Sequence, residues 1–134
     1  MLAMKRALVL ALMFVGGLHA GDRPITISAP AEKQLVDLGL KVETIAFRTD
    51  HKLVSYLKLV VALRNTTDHA YDRVAVTMVL LDKDGNETGI SQTVDLQDVT
   101  SGSLAQVTAR ARFGGLMRGT EYRVAKVEAF QKAL

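Results

Sequence analysis

The chain contains no cysteine. That excludes disulfides, thiol chemistry, zinc–thiolate sites and a lipidated start, which needs a Cys just after the cleavage point. Nor does it carry an apolar run of the roughly 20 residues that a spanning helix needs. The longest, Ala7–Val15, is much shorter. No internal repeat, low-complexity stretch or interdomain linker breaks the sequence, so its 134 residues read as one domain behind a targeting segment.

That targeting segment is residues 1–20. Lys5 and Arg6 form a charged start, Ala7–Val15 an apolar centre, and Leu18-His19-Ala20 a cleavage site, which together read as a bacterial secretory signal. Met4, directly before Lys5, offers a second start. Removal of the signal takes two of the 17 Lys and Arg and leaves 15 against 14 Asp and Glu. The basicity of the whole chain is therefore mostly an address, and it gives no case for nucleic-acid binding or for membrane insertion after cleavage. A periplasmic or secreted domain without disulfides must be held by its core, and the Val-, Leu- and Ala-rich remainder is long enough to build one.

Two-residue alternation organises most of the remainder. In Tyr56–Asn65, Leu57, Leu59, Val61 and Leu63 share one face, with Lys58 and Arg64 on the other. In Arg73–Asp82, Val74, Val76, Met78 and Leu80 do the same. A helix would scatter these residues, whereas a strand aligns them. Asp82-Lys83-Asp84-Gly85-Asn86 predicts a hairpin through a type I turn followed by a left-handed Gly. Glu87–Leu96 follows as a strand, with Ile90, Val94 and Leu96 inward and Ser91, Thr93 and Asp95 outward. After a turn at Thr100-Ser101-Gly102, Ala105–Phe113 turns Ala105, Val107, Ala109, Ala111 and Phe113 to the core.

Gly114, Gly115 and Gly119 mark a loop before the last strand, Tyr122–Phe130. Its parity slips between Val124 and Val127, which a β-bulge near Ala125-Lys126 repairs. Upstream, Ile25 and Ile27 imply a short strand. Pro30–Leu38 implies a helix with Ala31, Leu35 and Leu38 on one face and Gly39 after its end. Leu40–Arg48 is a further strand, turned into the next through Thr49–Lys52. About seven strands joined by short polar turns, with one short N-terminal helix, define an all-β, immunoglobulin-like antiparallel sandwich.

The stretch Leu59–Phe113 resembles the FxLYD-type domains of bacterial exported proteins, which are immunoglobulin-like. Val61-Ala62-Leu63-Arg64-Asn65-Thr66-Thr67 is similar to their strand ending in Asn followed by Ser or Thr. Met78-Val79-Leu80-Leu81-Asp82 stands where the name-giving motif falls, with Leu80 and Asp82 matching and Met78 and Leu81 replacing the Phe and Tyr. The resemblance implies a sandwich and no catalysis, and it carries over no functional residues.

Few residues offer chemistry. His51 and His69 lie in polar turns, and Thr67–Asp72 sets a carboxylate beside an imidazole without an obvious nucleophile. Met78 is on a core face and Met117 in the Gly-rich loop, with no His-x-Met or Met-x-x-Met spacing for copper. Asp82–Asn86 has the look of a calcium loop, but Thr93 stands where the twelfth-position Glu belongs. The sequons Asn65-Thr66-Thr67 and Asn86-Glu87-Thr88 read as turn chemistry. No cofactor, metal or catalytic residue is expected.

Two surface features remain. Val60 and Ala62 on one strand, and Ala75, Val79 and Leu81 on the next, fall on outward parity yet are apolar. As a contiguous patch they would need a cover, either the N-terminal helix or a partner. Val60, Ala62, Val79 and Leu81 are thus a candidate contact face. In addition, residues 65–98 hold seven acids against Arg73 and Lys83, and residues 99–134 hold Arg110, Arg112, Arg118, Arg123, Lys126 and Lys132 against Glu121 and Glu128. The two segments either neutralise each other or leave a basic face at Arg110 and Arg112 for an acidic partner or envelope polymer. The expected function is contact with an envelope protein. The alternative, a periplasmic small-ligand or metal carrier, would show a thermal shift with its ligand.

Overall fold

β-Branched and leucine-rich alternation produces six long strands. These are β3 (Leu40–Asp50), β4 (Tyr56–Asn65), β5 (Tyr71–Leu81), β6 (Glu87–Val99), β7 (Leu104–Arg110) and β8 (Glu121–Phe130). Two two-residue strands, β1 (Arg23–Pro24) and β2 (Thr26–Ile27), and one helix, α1 (Ala29–Asp37), precede them. The computed structural model describes residues 23–50, 56–111 and 121–131. Residues 1–22, among them the stretch read as a signal, lie outside them, as do His51, Arg112, Phe113, the Gly-rich loop, Met117, Arg118 and Lys132.

The strands form two four-stranded sheets. Sheet I has the order β1-β3-β4-β7 and sheet II the order β2-β8-β5-β6. The chain crosses between sheets after β1, β2, β4, β6 and β7, and β4 lies beside β7 while β5 lies beside β8. This interlocking is the strand arrangement of immunoglobulin-like sandwiches. Two details differ from the sequence reading. Among the described residues the strands number eight, and β2 runs parallel to β8, which makes sheet II mixed.

The inward residues read from alternation form the core. Leu59, Val61, Leu63, Val74, Val76, Met78 and Leu80 are fully buried, joined by Val94, Leu96, Tyr122 and Val124. Phe47 stacks on Tyr122 with ring centroids 5.5 Å apart. Val107, expected at full depth, is half-buried with Ala105 and Ala109 because β7 ends its sheet and has a neighbour on one side only. Ile90, expected inward, is exposed. The cause is a bulge: Val79 pairs with Ser91 but Leu81 with Glu87, and Gly89 takes φ 84°. Gln92 is buried in the same strand.

The last strand contains the bulge its parity required. Thr77 pairs with Lys126 and Met78 with Val124, leaving Ala125 as the extra residue. The hairpin after β5 also takes the expected form. Gly85 N–H donates to Asp82 C=O at 3.0 Å, Gly85 has φ 83°, and Asp82 Oδ1 accepts from Asp84 and Asn86 N–H at 2.9 Å each.

Helix α1 starts at Ser28, whose Oγ accepts from Ala31 N–H at 3.3 Å, with Pro30 in the first turn where its missing donor is harmless. It packs on β8 and β3, placing Ala31 and Leu35 in the inter-sheet core. It therefore plugs one side of the sandwich between the sheets and does not lie across an outer face. Ser28 N–H donates to Val124 C=O (2.9 Å), and Gln34 Oε1 accepts from Val127 N–H (2.7 Å), so the helix also satisfies the edge of β8.

Candidate functional site

The residues that alternate away from the core on sheet I build one face. β4 is its centre, bringing Lys58, Val60, Ala62 and Arg64. Antiparallel register sets Arg48, Lys58 and Arg110 in one row across β3, β4 and β7. Ala46, Val60 and Thr108 form the next row, then Thr44, Ala62 and Gln106, then Lys41, Arg64 and Leu104. Neighbouring strands are roughly 4.8 Å apart, so the first row concentrates three cations within one side-chain length. Arg64 Nε pairs with Glu43 Oε1 at 3.2 Å.

Among positions whose side chains are described, this face carries Lys41, Arg48, Lys58, Arg64 and Arg110 against Glu43. The outer face of sheet II is mixed. There Arg73, Arg123 and Lys126 meet Glu87, Asp95, Glu121 and Glu128, with Arg73–Asp95 at 3.9 Å and Lys126–Glu128 at 3.1 Å. Arg73 also lies 4.3 Å over the Phe130 ring. Each of these pairs lies within one segment, Arg73–Asp95 within residues 65–98 and Lys126–Glu128 within residues 99–134, so neither is a neutralisation between the acid-rich and base-rich segments. Arg110 instead joins the cations of β3 and β4.

The candidate contact face is corrected. Val60 and Ala62 belong to sheet I, and Val79 and Leu81 to sheet II, because the chain changes sheets between β4 and β5. The four lie on opposite outsides of the sandwich and form no common patch. Three of them are closed to water, with Val60 1% exposed, Ala62 4% and Leu81 5%, and Ala75 is likewise buried, while Val79 is half-buried. On sheet II the reason is visible in the register. Ala75 sits between Asp95 and Glu128, and Leu81 between Glu87 and Glu121, so longer polar neighbours flank each on a central strand.

The loop with His69 is a structural knot. Asn65 is fully buried; its Nδ2 donates to His69 C=O (2.8 Å) and Val99 C=O (3.2 Å). Its Oδ1 accepts from Thr67 N–H (3.0 Å) and Oγ1 (2.6 Å). His69 Nδ1 lies 3.3 Å from Asp68 Oδ1 at the surface, and its ring meets Tyr71 edge-on at 5.1 Å. Tyr71 donates to Leu38 C=O at 2.6 Å, and burial pushes its phenol above the ordinary value. The side chains of Asn65, Thr66 and Thr67 all bond backbone, consistent with the turn reading of this sequon. Among the described residues no three His, Asp or Glu converge as metal ligands, and no helix is long and apolar enough to cross a membrane.

Of the basic face read from sequence, Arg110 is present and exposed, while Arg112 lies outside the described residues. Lys41, Arg48, Lys58 and Arg64 were not assigned to it. The alternation of β3 and β4 puts each on non-core parity, but their union with Arg110 needs the β4–β7 pairing. Comparison with protein families, with characterised proteins and with solved structures finds no match to this chain.

Proposed function

We propose that the protein is a non-enzymatic, immunoglobulin-like module of the bacterial envelope that works by contact with an acidic partner protein through the outer face of sheet I. The observation that carries this reading is the distribution of charge among the described side chains: the outer face of sheet I carries five cations and one acid, and that of sheet II three cations and four acids. A face of one sign steers and orients an oppositely charged partner more than it adds affinity. The signal-like first 20 residues and the similarity to FxLYD-type domains support an exported, non-catalytic role.

The test has two arms. Mass measurement of the periplasmic or secreted protein should give a chain beginning at Gly21, and intact N-termini on soluble protein would end the export reading. A Lys58→Glu/Arg110→Glu variant should lose salt-sensitive retention on immobilised polyglutamate and on envelope extract while melting as a folded domain. Equal retention of variant and wild type would remove the basic face from the function.

A further inference from the structure

The fold treats the two sequons of this chain in opposite ways. Asn65 is fully buried, and its Nδ2 is engaged by the carbonyls of His69 and Val99. Asn86 stands in the exposed hairpin between β5 and β6. The turn uses its backbone: its N–H donates to Asp82 Oδ1 at 2.9 Å, and its C=O accepts from Asp82 N–H at 2.8 Å. The side-chain amide takes no part in those bonds. The turn reading of the sequons thus holds for Asn65 in full and for Asn86 in its main chain alone. Asp84, two residues before Asn86, is also exposed; it gives the turn its N–H and leaves its carboxylate outside the turn's bonds. The residue two before Asn65 is Leu63, which is fully buried.

We propose that Asn86 is the acceptor of an N-linked glycan, recognised through Asp84–Thr88 as the chain emerges from the membrane. An acceptor amide needs a hydroxyl two residues on, which Thr88 supplies, and a residue other than proline between, which is Glu87. Asp84 adds a charge that a cationic side chain of the transferase can hold, and Asn65 has no such neighbour. The co-reactant is an oligosaccharide linked through pyrophosphate to a polyprenyl lipid. Asn86 Nδ2 bonds to the anomeric carbon of the first sugar as the bond from that carbon to the pyrophosphate oxygen breaks. The lipid pyrophosphate leaves with the electron pair, and the amide gives one proton to a basic group of the transferase. Nothing is oxidised or reduced. In the folded chain Thr88 Oγ1 donates to Leu80 C=O at 2.8 Å and accepts from Ile90 N–H at 3.2 Å, so its recognition precedes closure of the hairpin. The finished fold accommodates a glycan at Asn86, on an exposed turn, and excludes one at Asn65, whose amide gives both protons to carbonyls. This inference rests on the exported, bacterial part of the proposed function and not on the basic face.

The test is intact mass and peptide mapping of the protein recovered from the envelope of the bacterium that makes it. The expected species begins at Gly21 and exceeds the mass of its chain by one oligosaccharide, carried on the Asn86 peptide, with Asn65 unmodified. Asn86→Gln and Asp84→Ala, both at exposed turn positions, should each lose the added mass completely and remain folded by circular dichroism. Thr88→Ser, which keeps the hydroxyl, should retain it. A chain that begins at Gly21 with Asn86 unmodified overturns the acceptor proposal and leaves the export reading standing. A chain that keeps residues 1–20 with Asn86 unmodified overturns both. Added mass that persists in Asn86→Gln or Asp84→Ala, or that maps to Asn65, also overturns the proposal.

Discussion

Asn65 does with one amide what a turn otherwise needs several residues to do. It is uncharged, fully buried and bonded at both ends, holding the crossing from sheet I to sheet II against the β6 terminus. Asn65→Ala strands Val99 C=O and Thr67 N–H, and is expected to cost about 2–4 kcal/mol in urea unfolding. Asn65→Asp keeps the acceptor but turns an oxygen toward two carbonyls, so it should not rescue. Tyr71 ties the same region to α1 through Leu38 C=O. Its raised phenol means that the folded state holds this proton more tightly than the unfolded chain does. The contribution is therefore complete below pH of about 10, the ordinary phenol value, and is lost as pH rises through the raised one. Tyr71→Phe should lose about 1 kcal/mol at neutral pH. The gap between the two proteins should narrow in strongly alkaline unfolding series; a constant gap would mean that the phenol is not the titrating group.

Among the elements, β5 carries the sandwich. It is bonded on both sides, to β6 and β8, and its Val74, Val76, Met78 and Leu80 are fully buried. Leu80→Ala should cost about 2–5 kcal/mol by chemical denaturation; a loss below about 1 kcal/mol would put Leu80 outside the packed core. The junction between α1 and β3 depends on Gly39, which has φ 68° and lies against Thr67. A Cβ there would collide with Thr67 Cγ2 in a conformation that L-residues disfavour. Gly39→Ala should therefore destabilise by more than the roughly 1 kcal/mol of a left-handed backbone alone, and Thr67→Ser should recover part of the loss.

For the whole molecule, the two outer faces differ in electrostatic character because strand order decides which charged residues become neighbours. β7 carries Arg110 to the cations of β3 and β4, whereas β8 sets Arg123 and Lys126 on the outer face that also holds its own Glu121 and Glu128 and, across β5, Glu87 and Asp95 of β6. The salt dependence of partner retention should reside in sheet I: Lys126→Glu on sheet II is expected to leave retention on polyglutamate unchanged, in contrast to the paired reversal of Lys58 and Arg110. Loss of retention with Lys126→Glu would spread the contact over both faces and dissolve the distinction.

Local chemistry determined much of this protein in advance. Period-two alternation marked the inward residues of β4, β5 and β8, because each side of a strand meets one environment only. The parity slip located the bulge at Ala125, Asp82–Asn86 set its hairpin, and Pro30 with Gly39 bracketed α1 within a residue of its ends. Pairing between distant strands was not legible. Alternation states which residues share a side of one strand and is silent on which strands share a sheet. Val60 and Ala62 therefore parted from Val79 and Leu81 only when the chain crossed between sheets after β4, and Arg110 met Lys58 and Arg48 only through the β4–β7 register. Ile90 and Val107 departed from their expected depth because Ile90 sits at a bulge that leaves the parity of its strand unmarked, and because Val107 lies on an edge, which is a property of a strand's neighbours.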